Sequence, residues 1–272
     1  MHHDSLAVAG PEGAIRTFHW PGKAPGSAPA LLFVHGMLGD ASFWTPTIEA
    51  LGEQRPRAIA AELRGHGSSE PAASEDYSPR ACAADLLAVL DGYGLDRATV
   101  IGHSYGALVA LAFAAAHPER VARLVLADPP GDFTRLPPEA RREQLEPFLQ
   151  ALAGDGWRDA TRAGFEDACA GGRASTRETI FSRLEHADRT ATVSLFRPMF
   201  EFDAIGALDT FLAHEGASAH AILAESNAWP FSLHVLRPSL PHTVMRGTGH
   251  WLMLDDPAGF ASALRGAALG GG

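Results

Sequence analysis

A chain of 272 residues that is 46% apolar can bury a sizeable core, as one large α/β domain or two small ones. Its net charge of −10, with scattered arginines and no basic stripe, disfavours nucleic acid and anionic membranes as partners. No uninterrupted apolar window of roughly 18 residues marks a membrane span, and the two cysteines, Cys82 and Cys169, lack metal-ligand spacing and read as small buried residues.

The N-terminal stretch MHHDSLAVAGPEG has no basic segment followed by an apolar one, so it does not read as a secretory leader, and a cytoplasmic location is expected. Ser5–Ala9 and Ala14–Trp20 fit an antiparallel hairpin at a sheet edge. PGKAPGSAPA (21–30) reads as a loop. Ala30–Val34 is a short apolar run with the character of a buried strand, and Arg57–Ala61 is a weaker one. Helical periodicity covers Ser78–Tyr93. Ala98–Ile101 is a strand, Tyr105–Ala116 an Ala/Leu-rich helix, and Val121–Ala127 another strand. Between Asp128 and about Asp203 the strand signals vanish. Arg, Glu, Ala and Leu dominate there, interspersed with Trp157, Phe165, Phe181, Phe196, Met199 and Phe200, which describes a helical insertion. Strands return at Ala219–Ala224 and Pro241–Met245, and a last helix starts at Pro257 and runs to about Leu269. The Gly-rich end from Gly266 to Gly272 reads as frayed. Strands alternating with helices predict a mostly parallel sheet.

The chemistry concentrates at strand ends. Val100-Ile-Gly-His-Ser-Tyr-Gly-Ala107 is a G-x-S-x-G between a strand and a helix. Such a turn holds Ser104 on a strained backbone, with Gly102 and Gly106 removing side chains where strand and helix approach. Upstream, Phe33-Val-His-Gly-Met37 follows a strand, and its turn can aim the Met37 amide at the point served by the Tyr105 amide. Two such donors make an oxyanion hole. The His35 imidazole reads as a pin for its own loop. Glu62-Leu-Arg-Gly-His-Gly-Ser68 is a Gly-rich turn in which His66 reads as loop-stabilising. Gly247-Thr-Gly-His-Trp251 puts His250 on a strand-end loop before the last helix, where it can act as a base for Ser104. Asp255 and Asp256 read as caps of the helix at Pro257.

LLFVHG, ELRGHGSS, GHSYGA, LVLADP and GTGHWLMLDDP occur in one order over nearly the whole chain, and together they resemble the α/β-hydrolase family, in its serine-nucleophile, esterase-like branch. The resemblance implies an eight-stranded, mostly parallel sheet flanked by helices. It implies a core of residues 1–128 and 204–272, a helical cap of residues 129–203, no metal and no organic cofactor. A serine at 104 sets the chain apart from the aspartate-nucleophile branches.

The resemblance places the triad's acid after the strand Ala221–Leu223, where this sequence reads Ala224-Glu-Ser-Asn227. Asn227 falls on the acid position, and an amide cannot stabilise an imidazolium through charge. Three readings stay open. Asp128, at the end of the strand after the nucleophile helix, supplies the acid, as in some branches of the family, although an Asp before Pro-Pro can simply cap a turn. Glu225, two positions early, supplies it instead. Or Asn227 replaces the acid altogether.

His35, Gly36, Trp44, Trp229 and Trp251 are the candidates for a largely apolar substrate pocket. The expected function is hydrolysis of a small or medium carboxylic ester or lactone through an acyl-enzyme, by a monomer or homodimer. C–C bond hydrolysis, acyl transfer, perhydrolysis and cofactor-free oxygenation use the same residues in relatives, and a ligand receptor with a decayed triad is the non-enzymatic alternative.

Overall fold

The computed structural model describes residues 3–24 and 28–269, so part of the 21–30 loop, the first two residues and the last three of the Gly-rich end lie outside the described residues. Eight strands form one sheet: β1 (Asp4–Ala9), β2 (Ala14–Trp20), β3 (Ala30–Val34), β4 (Ala58–Ala61), β5 (Ala98–His103), β6 (Val121–Ala127), β7 (Ala219–Ala224) and β8 (His242–Met245). Their order is β1-β2-β4-β3-β5-β6-β7-β8. β1 and β2 form the edge hairpin, in register from Asp4↔His19 to Ala9↔Ala14, and β2 runs antiparallel to β4. All remaining neighbours are parallel.

The central strands β3, β4 and β5 are buried at every position, as expected for parallel strands covered on both faces. Alternate residues feed two cores. Leu32, Val34 and Val100 join the cluster that contains α2 (Pro79–Gly92) and α3 (Tyr105–Ala116). Leu31, Phe33 and Ile101 join the opposite cluster, with Ile48 and Leu51 of the short helix Thr45–Leu51 and with Phe260 and Leu264 of the last helix. Thr45–Leu51 is too short to declare a period, and its one local signal is a proline in the first turn. α2 begins where Ser78 Oγ accepts the Ala81 N–H at 3.2 Å. The last helix covers Pro257–Leu264 and widens into a π-turn over Arg265–Leu269.

Between β6 and β7 no strand occurs among the described residues. Helices Glu146–Ala153, Trp157–Glu166, Ala174–His186, Arg189–Val193 and Phe196–Glu201 follow one another there. The next helix, Ala204–Leu212, packs against α3 and so returns to the layers around the sheet. Buried Asp132 ties the stem of this insertion. One carboxylate oxygen accepts the Thr134 N–H, the other accepts the Ile205 N–H, both at 3.0 Å.

Parallel pairing brings the candidate residues to one end of the sheet. His103 on β5 pairs with Ala127 on β6, and Ala127 pairs with Ile222 on β7. Ser104 and Asp128 therefore emerge side by side, with residues 225–227 beyond the next strand end and His250 beyond β8.

Candidate active site

Ser104 sits between β5 and α3 with φ 51° and ψ −123°, a left-handed backbone that L-residues adopt only under constraint. The constraints are visible. A Cβ on Gly102 would meet the Gly106 carbonyl oxygen at 2.3 Å, and one on Gly106 would meet the His35 carbonyl oxygen at 2.4 Å. Strand, helix and the β3 loop pass so close that only glycine fits at both places. Ser104 N–H donates to Ala127 O at 3.0 Å, which ties the turn to β6.

Asp128 repeats the pattern at the next strand end, with φ 42°. Its Oδ1 accepts the Ala224 N–H at 2.7 Å and the Asn227 Nδ2–H at 3.1 Å. Its Oδ2 lies 2.6 Å from His250 Nδ1. That contact sets the tautomer: Nδ1 carries the proton toward the carboxylate and Nε2 is left as the basic nitrogen. Asn227 therefore stands behind Asp128, bonded also to Pro129 O at 3.0 Å. Glu225 points elsewhere. It is exposed and faces Arg246 at 4.0 Å on the surface.

The His35–Gly39 turn lies directly against Ser104, since a Cβ on Gly36 would come within 2.7 Å of Ser104 Cβ. His35 is fully buried. Its Nε2 accepts the Leu63 N–H at 3.0 Å and its Nδ1 donates to Gly36 O at 2.7 Å. Burial, reinforced by nearby His66, pushes its pKa down to about 3, so the ring is a neutral brace. The Gly36 carbonyl also accepts the Gly39 N–H at 3.1 Å. Because the Gly36–Met37 peptide is trans, fixing that carbonyl sends the Met37 N–H the opposite way. Tyr105 is the first residue of α3, so its N–H has no acceptor within the helix. Its phenol donates to Tyr77 O.

His103, the residue between Gly102 and Ser104, was not singled out from the sequence. It is buried, its Nε2 donates to His250 O at 2.9 Å, and its ring centroid is 4.8 Å from that of His250. Burial, then the neighbouring His250, hold its pKa well below the ordinary imidazole value. A neutral ring is thus packed under the proposed base without adding charge.

Two cavities flank these residues. One of about 340 Å³ opens on Asp128 and His250 and is walled by Phe133, Phe231 and Trp229, with the Trp229 and Phe231 rings stacked at 6.0 Å. The other, about 390 Å³, lies between the helix Ala174–His186 and the turns of Leu38 and His66. Of the residues expected to line a pocket, Trp229 does so. His35, Gly36, Trp44 and Trp251 line neither cavity. Trp44 is 0% exposed and packs on Phe33 and Phe260 beneath the sheet end. Trp251 is 2% exposed and meets His250 edge-on at 5.0 Å. Large apolar rings beside the strand ends went into the core, where their area is removed from water. Phe133 and Phe231 carry no motif that would have marked them as pocket walls.

Residues 29–197, more than half of the chain, match the family model described as the alpha/beta hydrolase fold. The chain belongs to the alpha/beta hydrolase family. Over 108 residues it is 38% identical to "Putative carbamate hydrolase RutD" of Variovorax paradoxus, a match covering 40% of this chain and 41% of that protein. Over 125 residues it is 41% identical to the uncharacterized protein Rv2715 of Mycobacterium tuberculosis, covering 44% of this chain and 35% of that protein. The chain thus spans less than half the length of these two relatives. A RutD protein of Escherichia coli O157:H7 is 27% identical over 257 residues, covering 87% of this chain and 90% of that protein. Among solved structures, an enol-lactonase from Burkholderia xenovorans superposes with a TM-score of 0.75 at 20% identity, covering 98% of this chain and all of that one. Carboxylesterase CesB from Bacillus subtilis does so with a TM-score of 0.72 at 20% identity, covering 100% of this chain and 93% of that one. These two show the shared fold.

Proposed function

We propose that this α/β hydrolase is a serine hydrolase acting on a carboxylic ester or lactone through an acyl-enzyme. The observation that carries the reading is the 2.6 Å contact between His250 Nδ1 and Asp128 Oδ2 beside the strained Ser104 turn. His250 Nε2 takes the proton from Ser104 as the hydroxyl attacks the carbonyl. Asp128 holds the imidazolium that forms. The Met37 and Tyr105 amides hold the oxyanion, at a typical worth of about 3 kcal/mol each. The proton returns to the leaving alcohol, and water then releases the acid by the same path. The aromatic cavity beside Asp128 and His250 favours substrates with an apolar acyl or alcohol part.

The match to a RutD protein along 87% of the chain favours a second reading, a carbamate substrate. A carbamate passes through the same kind of tetrahedral intermediate, so the residues keep their roles.

A fluorophosphonate probe tests the nucleophile and should label Ser104 alone. Hydrolysis of p-nitrophenyl butyrate should fall to background in Ser104→Ala, and a parallel p-nitrophenyl carbamate series ranks the two substrate classes. Full activity in Ser104→Ala, or a folded protein that takes no probe, sinks the proposal and favours a binding role.

A further inference from the structure

The motif GTGHWLMLDDP holds two adjacent aspartates with different work to do. Asp256 caps the last helix, accepting the Gly259 N–H at 2.9 Å. Asp255, expected to do the same, does not. Its Oδ2 accepts the N–H of Gly249, the residue before His250, at 2.8 Å. Its Oδ1 accepts the N–H of Arg173, in the cap, also at 2.8 Å. A third bond spans the same gap in the other direction, from His250 N–H to Ala168 O of the cap at 2.9 Å.

The contact is close-fitting on both sides. A Cβ on Gly172 would meet Asp255 Oδ2 at 2.6 Å, and one on Gly249 would meet the carbonyl oxygens of Ala168, Cys169 and Ala170 at 3.1–3.2 Å. Asp255 is 2% exposed, and two amide hydrogens, from Gly249 and Arg173, hold its buried carboxylate. That is an expensive group to bury for fold alone. It joins the cap turn 168–173 to the loop carrying His250.

We propose that Asp255 is a positioning residue that clips the His250 loop to the cap, so that the imidazole is aligned with Asp128 only while the cap turn 168–173 is seated. Movement of that turn draws on the main chain of Gly249 and His250, and the ring moves with it. Reaction and cap closure are thereby the same event. The catalytic part of this statement rests on the serine-hydrolase reading, whereas the alignment part does not.

The test uses Asp255→Ala and, with Asp255 intact, Arg173→Pro. Arg173 has φ −76°, which proline accepts, and its side chain is exposed, so that variant removes the cap-side donor and puts a ring carbon where its hydrogen met Asp255, breaking the contact from the cap side. Asp256→Ala controls for loss of the helix cap. The first readout is the Nδ1–H proton shift of His250, followed by NMR in protein with isotope-labelled histidine, which reports the bond to Asp128 without any substrate. The second is kcat against KM for p-nitrophenyl butyrate.

Asp255→Ala and Arg173→Pro should both move the His250 signal and lower kcat by about tenfold or more at nearly unchanged KM, because misplacement by about 1 Å can cost 100-fold. Asp256→Ala should leave the signal in place. An unmoved signal in folded Asp255→Ala or Arg173→Pro protein overturns the proposal, whether or not activity falls. A moved signal in a wild-type background without esterase or carbamate activity keeps the clip and overturns the hydrolase reading.

Discussion

At the scale of single residues, the chain answers a problem set by its own sequence. The position after β7 that the family pattern reserves for an acid is Asn227, and a neutral amide there offers His250 no counter-charge. In the structure the amide donates to Asp128 Oδ1, and Asp128 Oδ2 faces the imidazole. On the proposed reading the two side chains divide the task, one supplying charge and the other holding the carboxylate in place. Asp128→Asn should lower kcat by about four orders of magnitude, as loss of the charge does in serine triads. Asn227→Ala removes one donor to a carboxylate that keeps its Ala224 N–H bond, and should cost about tenfold or less, consistent with about 1.5 kcal/mol for a hydrogen bond to a charged group. Steady-state kinetics on the two variants decide the matter: a larger loss from Asn227→Ala would move the acid's function to residue 227. The carboxylate's location was open in the sequence, because three side chains on two loops satisfied the spacing. The pairing of β5, β6 and β7 sets Asp128 against the imidazole, Asn227 behind Asp128 and Glu225 at the surface.

At the scale of elements, the turn that carries Ser104 is over-determined by local sterics. Gly102 and Gly106 are legible as the price of a strand, a helix and a loop crossing at a single point. Gly106→Ala would press a methyl into the His35 and Val34 carbonyls at 2.4–2.5 Å, both rigid backbone. It should destabilise the protein by about 1–3 kcal/mol, seen as a lower urea midpoint, and cut kcat by more than the unfolded fraction explains, because the His35–Gly39 turn is displaced from Ser104. Elements without such signatures were harder to read. Thr45–Leu51 is under two turns and shows no apolar period. Trp44 and Trp251 looked like pocket walls because they flank strand ends, yet a position near a loop does not say which way a ring turns. Asp255 and Asp256 are adjacent in sequence and identical in chemistry, and only the cap's approach separates their roles.

At the scale of the molecule, the sheet was legible through its alternation of buried runs and helices, and the strand-free stretch between β6 and β7 through the disappearance of strand signals after Asp128. What the helices between β6 and β7 touch was not legible, because their contacts join segments about 80 to 140 residues apart, such as Arg173 with Asp255 and Asp40 with Arg183. The interior also carries neutral imidazoles, with a consequence for acid stability. His35 has its pKa pushed down to about 3 by burial and by His66, whereas the unfolded chain protonates it near the ordinary value of about 6.5. Between those values the unfolded state binds the extra proton, so stability falls as pH is lowered. From pH 7 to about pH 5 the loss from this residue should approach 2 kcal/mol, from about 1.4 kcal/mol per pH unit below 6.5. Urea midpoints at the two pH values measure it, and His35→Gln should flatten the slope. No helix among the described residues is long and apolar enough to cross a membrane.

Of the five tryptophans, four lie in the interior, while Trp229 is 53% exposed and stacks on Phe231 at the mouth of the cavity beside His250. Collisional quenchers in the solvent therefore reach one indole and leave the rest dark to them. The protein carries its own optical gauge of occupancy, in which whatever fills that aromatic mouth shields a single emitting ring, with no label attached.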